Sequence, residues 1–165
     1  MAENSYFEIL RALARAKVDF IVGGGVACVL HGVERVTMDV DLALHMTPEN
    51  WGRFLGIMRE LHLTPRVPIQ PETLLDPAVV RSIIEEKHAL VFSFLDINRP
   101  IRHVDIFLRP DLSYDSLLPD TETIALEDIS VRVVNMRRML KIKLGIQPPR
   151  SKDLPDIEFL RQNVR

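Results

Sequence analysis

The 165-residue chain carries a single cysteine, Cys28. One thiol can neither close an internal disulfide nor build a cysteine-ligated zinc site. No apolar run approaches the roughly 18 residues of a membrane span. Met1-Ala-Glu-Asn lacks the basic stretch and apolar run of a secretory leader, so the expected location is the cytoplasm, away from membranes. Neither sign of charge is in excess: 21 Lys and Arg face 23 Asp and Glu, a net charge of −2. The chain as a whole therefore has no electrostatic case for nucleic-acid binding. There is no internal repeat and no low-complexity tract.

What is present is ordinary globular material, 47% apolar and 27% charged, which argues against disorder. The length predicts one domain spanning 1–165, with a core large enough to need no staples. Apolar spacing predicts a helix over 3–17, a strand over 19–22, a short helix over 26–32 and a strand over 39–45. Pro48 opens a helix to about 62, with Trp51, Phe54, Leu55 and Met58 on one face. The proline-rich stretch 64–78 reads as loop and 79–86 as a short helix. Segments 89–95 and 103–108 read as a hairpin around Asn98-Arg99-Pro100, with the apolar stripe at 90–97 in the core. Strands follow at 121–126 and 129–134. A helix over 135–145 has Asn135 as its cap and Gly145 as its stop. Another over 154–163 has Asp153 as its cap and Asp156 in its first turn. The order predicts an α/β (α+β) domain, a small mixed sheet flanked by helices, with helices 135–163 packed on it at the C-terminal end.

Asp39 and Asp41 are the sharpest chemical feature. Two apart on a strand, they point to the same face and repel unless a positive charge lies between them. A hard divalent cation such as Mg²⁺ meets that need; a solvated edge-strand face is the plainer alternative. The strand before them runs into Gly23-Gly24-Gly25 and then a helix. Glycines there let a phosphate approach the backbone, although a tight turn needs them equally. No Gly-Lys-Ser/Thr ending is present, which removes a Walker loop. A dinucleotide fingerprint from Gly23 ends on Cys28, and Glu34-Arg-Val-Thr-Met before the aspartates is not a buried strand. That reading ranks below the next. Asp105 sits in the apolar run Val104-Asp-Ile-Phe-Leu, where a charge is costly unless paired or metal-bound. An ion pair with Arg102 or His103 is its alternative role. His31 reads as a helix-end cap and Cys28 as a small buried hydrophobe.

The run from Gly24-Gly25 through His31-Gly32, Arg35 and Thr37 to Asp39-Val-Asp41-Leu42 resembles the signature of the nucleotidyltransferase (polymerase-β-like) superfamily. The intervening His-Gly, Arg and Thr resemble its AbiEii-like, minimal branch. The likeness resumes at His103-Val-Asp105-Ile-Phe and again from Lys141 to Leu160, in Lys152-Asp-Leu-Pro-Asp-Ile-Glu-Phe-Leu160. Gly23 is an extra glycine.

The resemblance implies a catalytic and metal-binding trio, Asp39, Asp41 and Asp105, holding Mg²⁺ or Mn²⁺. It implies an NTP such as ATP held by Gly24, Gly25, Arg35, Thr37 and Lys143. Lys141 and Lys143 face different ways on their helix, and Lys143 is the one expected at the triphosphate, exposed like Lys152. The implied reaction is transfer of a nucleoside monophosphate to a hydroxyl of a tRNA 3′ end or of a protein. The implied setting is a toxin–antitoxin or phage-defence system with a cognate toxin or antitoxin partner. A non-catalytic nucleotide-binding module of a two-protein system is the second reading. Seven cations between Arg132 and Lys152, with no acid until Asp153, suit an RNA backbone or a solvated face.

Overall fold

A computed structural model describes residues 5–165. The first two residues of the helix expected over 3–17 lie outside them. Helix α1 (Ser5–Arg15) buries Ile9, Leu10 and Leu13; of the apolar positions Phe7, Leu10, Leu13 and Ala14 expected on one face, Phe7 and Ala14 are only partly buried. Strand β1 (Phe20–Gly23) is buried along its whole length and runs directly into α2 (Gly24–Leu30). That helix starts two residues earlier than its apolar spacing suggests, because the glycines accept the sharp turn at its entry. Strand β2 (Asp39–Leu44) leads to α3 (Pro48–Glu60), where Pro48 opens the first turn and the Thr47 hydroxyl accepts from the Asn50 amide.

The stretch expected as loop, 64–78, is more regular than its prolines suggest. It holds β3 (Thr64–Pro65), a 3-10 turn over Pro71–Leu75 and the start of α4 (Pro77–Lys87), capped by Asp76. Strands β4 (Val91–Leu95) and β5 (His103–Phe107) form the expected hairpin. Residues 110–120, which show no clear period, fold as two 3-10 turns around α5 (Tyr114–Leu117). Strands β6 (Thr121–Leu126) and β7 (Ile129–Val134) precede α6 (Met136–Leu144) and α7 (Leu154–Asn163). Asn135 caps α6 as expected, its side chain accepting from the Arg138 amide. Asp153 precedes α7 but makes no side-chain cap; its carboxylate is engaged elsewhere.

The described strands form one sheet in the order β3-β4-β5-β2-β1-β7-β6. Its pairings are antiparallel except β2 with β5 and β1 with β7. This is the mixed α/β architecture expected from the sequence. The antiparallel β1–β2 pair removes the dinucleotide reading, which requires a parallel crossover there.

Burial alternates along β2, β4 and β5. Val40, Leu42, Val104, Ile106, Phe92 and Phe94 are buried on one face, where Phe94 meets Trp51 and Phe54 edge-on. The other face carries Asp39, Asp41, Ser93, His103 and Asp105. The stripe at 90–97 therefore enters the core only through Phe92 and Phe94, while Leu90 and Ile97 are exposed.

Candidate active site

The register of the central strands brings the acidic residues together. Asp41 lies opposite Asp105, and Asp39 opposite His103, across the β2–β5 pair. On the other side of β2, Gly23 is the register partner of Asp41. Like charges directly opposite one another on a sheet face oppose folding, and Asp41 shows it. Burial first, then the charges of Asp105 and Asp39, raise its carboxyl from 3.8 to about 6; His103 and Lys152 oppose the rise. Asp105 is held by two protein groups. The Ser93 hydroxyl donates to its Oδ1 at 2.5 Å, and His103 Nε2 lies 2.7 Å from the same oxygen. His103 Nδ1 lies 3.7 Å from Asp39 Oδ1, so one imidazole bridges two of the three acids. Asp105 thus has the His103 pairing that was its alternative role. Its turn toward Ser93 and His103 also means that the trio does not converge on one point: among the described residues, no three His, Cys, Asp or Glu side chains form a ready cation site. The donor set nonetheless suits Mg²⁺ or Mn²⁺. It is all carboxylate, on one face of neighbouring strands, with Asp41 carrying negative charge that no ion pair among the described residues neutralises.

The glycine turn is pressed against these acids. Gly24 has φ +59°, and a Cβ there would lie 2.0 Å from Asp41 Oδ2. A Cβ at Gly25 would lie 2.6 Å from Thr37 Oγ1 and 3.4 Å from an Arg35 guanidinium nitrogen. At Gly23 it would lie 2.9 Å from the Phe107 ring. Three consecutive side chains are therefore excluded by three different neighbours. The extra glycine has a physical reason in Phe107, and no side chain caps α2.

Arg35 and Lys143, both expected at phosphate, line the same cleft and are also joined in an ionic cluster whose lysine and carboxylates are buried. Lys143 Nζ lies 2.8 Å from Asp153 Oδ1 and 3.0 Å from Asp156 Oδ2. Arg35 pairs with Asp156, and Arg150 Nε with Asp153 at 2.5 Å. Lys143 is 7% exposed, which corrects the expectation of an exposed lysine. Burial works against its charge, but the Asp153 and Asp156 bonds outweigh it and raise the ammonium above its ordinary range. Burial likewise opposes ionisation of Asp153, yet Lys143 and Arg150 hold it below the ordinary carboxylate range. Cys28 is fully buried beside this cluster, its thiol pushed up to about 11 chiefly by burial. His31 ends α2 and bonds the Val134 carbonyl oxygen at 2.7 Å, in keeping with a structural role.

All eight sequence-expected site residues line one cleft of about 580 Å³. Lys152 also lines it, exposed and without a hydrogen bond or ion pair among the described residues. Ser93, His103 and Phe107 are additions to the expected set. Same-face alternation from Asp105 could have found His103, whereas Ser93 and Phe107 require the strand register and the packing. Most of the basic run is hydrogen-bonded or ion-paired within the chain. Arg132 bonds the Tyr114 hydroxyl, Arg137 the Arg165 carbonyl oxygen and Arg138 the Asp120 carboxylate. With Lys143 and Arg150 also paired, only Lys141 and Lys152 of the seven remain free among the described residues.

No protein-family model matches the sequence, and no curated protein matches it. Solved structures do share its fold. The lincosamide antibiotic adenylyltransferase LnuA, crystallised with lincomycin, superposes with a TM-score of 0.65 at 15% identity, covering 98% of this chain and 97% of that one. JHP933 from Helicobacter pylori gives 0.54 at 15% identity, covering 99% and 68%. An antigenic nucleotidyltransferase-like protein from Paracoccidioides brasiliensis gives 0.56 at 16% identity, covering 96% and 75%. The chain has the fold of these proteins, one an adenylyltransferase and another nucleotidyltransferase-like by description.

Proposed function

We propose that the chain is a nucleotidyltransferase that moves a nucleoside monophosphate from an NTP to a hydroxyl, using Mg²⁺ or Mn²⁺. One observation carries the reading: the glycine turn ending β1 packs directly on Asp41, at the face that also bears Asp39 and Asp105. A triphosphate laid along the bare backbone of Gly24 and Gly25 meets the carboxylates within its own length. Asp39, Asp41 and Asp105 are the groups that would hold the cation. When bound, it would neutralise phosphate charge and help align the attacking and leaving oxygens.

The remaining chemistry is positioning by the chain. In the transfer, the acceptor oxygen forms a bond to the α-phosphorus. The bond from that phosphorus to the bridging oxygen breaks, its electron pair leaves with pyrophosphate, and the acceptor hydroxyl loses its proton. Ser93 and His103 orient Asp105, as their bonds to Oδ1 already do. Thr37 and Arg35 close over Gly25, with Arg35 fixed from behind by Asp156. Lys152, not Lys143, is the free cation for the triphosphate. The fold likeness to LnuA supports an adenylyl-type transfer, and the motifs shared with the AbiEii-like branch support placement near it, with a toxin–antitoxin partner as the implied setting. Of the two acceptors that resemblance implies, the protein hydroxyl is favoured by the bonding of five of the seven cations of 132–152 within the chain, which leaves fewer of them for an RNA backbone.

The test uses ATP labelled at the α- or the γ-phosphate, with Mg²⁺ and fractionated cell extract. Label should reach an acceptor from α-labelled ATP only, with pyrophosphate released. Acceptor labelled from γ-labelled ATP would indicate a kinase and overturn the reading. Saturable ATP binding with no pyrophosphate release would favour the non-catalytic module.

A further inference from the structure

The reaction has a donor side and an acceptor side, and the sheet distinguishes them. Resting on the nucleotidyl-transfer reading above, the glycine turn at β1 marks where the leaving pyrophosphate is held. Attacking and leaving oxygens lie roughly in line across the α-phosphorus. The acceptor therefore enters from the opposite side of Asp39 and Asp41, over β5 and β4. On that side the sheet face is half open: Val91, Ser93, Asp105 and Phe107 are each only partly buried, in strict alternation with fully buried neighbours. Leu90 lines the same cleft and is 57% exposed.

We infer that this half-open face, floored by Val91, Ser93 and Phe107 beside Asp105 and rimmed by Leu90, is the acceptor subsite, and that it takes a small uncharged alcohol with an apolar body. Three observations support that class. The face offers hydrocarbon and one hydroxyl, and its exposed leucine gains from a partner that removes it from water. Arg109, which lines the same cleft just past the end of β5, is chelated by Asp111 through bonds of 3.0 and 2.6 Å, so it offers little to a phosphodiester chain. The Phe107 ring touches both this floor and the backbone of Gly23, so a molecule resting on it is held beside the site of phosphate binding.

The probes are methyl, butyl and octyl β-glucosides below micelle-forming concentration, which carry hydroxyls on apolar tails of increasing length, and a short RNA hairpin as the polyanionic alternative. Binding is followed by chemical-shift changes in the full chain loaded with Mg²⁺ and a non-hydrolysable ATP analogue. Shifts should centre on Leu90, Val91 and Phe107, with affinity rising at least tenfold from methyl to octyl. Leu90→Asp should lose most of that gain while ATP-analogue affinity stays within twofold. Ile101→Asp, at an exposed apolar residue of the β4–β5 loop, should leave glucoside affinity unchanged. Shifts at those residues with RNA but not with glucosides would overturn the proposal. So would glucoside binding that is insensitive to tail length, equal in Leu90→Asp, or absent. Failure of the ATP analogue to bind the wild type would instead overturn the nucleotidyl-transfer reading, and the glucoside arm, repeated without nucleotide, would still judge the apolar subsite.

Discussion

Two acidic groups, one lining the cleft and one buried at its wall, are treated in opposite ways. Asp153 and Asp156 are almost wholly buried, and each meets two cations: Lys143 with Arg150, and Lys143 with Arg35. Asp39, Asp41 and Asp105 share a sheet face with a single imidazole between them. The first group has its carboxylates matched by cations and ties α6, α7 and the 31–38 loop together. The second keeps an excess of negative charge that folding alone gives no reason to assemble. Groups held at a cost to stability mark functional sites more often than structural ones, and on the proposed function the second group serves the ligand and the first the scaffold.

The sharpest way to break the comparison is Asp41→Asn. Transfer should fall by at least the ~10²–10³-fold that loss of one electrostatic stabiliser costs, yet the protein should become more stable at pH 7. The carboxyl sits at about 6 in the folded chain against an ordinary 3.8. An acid raised in this way binds its proton more tightly when folded, so wild-type stability should fall as pH rises from 3.8 through 6. The full effect is about 3 kcal/mol. Urea titrations from pH 3.5 to 7.5 should show that slope in the wild type and its loss in the variant. Lys143→Met should do the reverse, destabilising the fold by about 3 kcal/mol. That is the low end for breaking a buried pair, since Arg35 and Arg150 remain. The Asp153 carboxylate adds the opposite pH sign: held below the ordinary range, its contribution is present above pH 3.8 and is lost on further acidification.

Gly24→Ala joins the two functional features. The left-handed φ costs a side chain about 1–2 kcal/mol, and the new Cβ must displace the Asp41 carboxylate. In a double-mutant cycle with Asp41→Ala, the stability cost of the alanine should shrink measurably; strict additivity would mean that the close approach is not felt. The smallest effect is expected at Lys152→Ala. ATP affinity should weaken about tenfold, equivalent to ~1.4 kcal/mol, with stability unchanged within about 0.5 kcal/mol as for an exposed site. Equal ATP affinity in this variant would return the triphosphate role to the sequence-expected Lys143.

The sequence carried the site's floor better than its walls. Asp39-x-Asp41 could be placed on one strand face from alternation alone, whereas Asp105 was set beside them only by the family resemblance until the β2–β5 register joined the two strands, and the glycines stood out against a chain with only seven. The hairpin of β4 and β5 was legible because Asn98-Arg99-Pro100 punctuates two apolar runs. What was not legible depends on partners distant in the chain. Lys143 lies on a helix whose period suggests solvent, and its burial follows from two acids ten and thirteen residues on that fold back over it. Residues 110–120 show no period because short 3-10 turns present no repeating face. The role of Gly23 depends on Phe107, far along the chain and brought near by the sheet.

The central claim is that the uncompensated acids, not the paired ones, make a nucleotide site. Calorimetric titration of Mn²⁺–ATP into the wild type, the Asp39→Asn/Asp41→Asn double variant and Arg150→Ala tests it most directly. The account predicts saturable binding to the wild type and to Arg150→Ala, and none to the double variant, which should remain folded. Equal Mn²⁺–ATP affinity in the wild type and the folded double variant would contradict it.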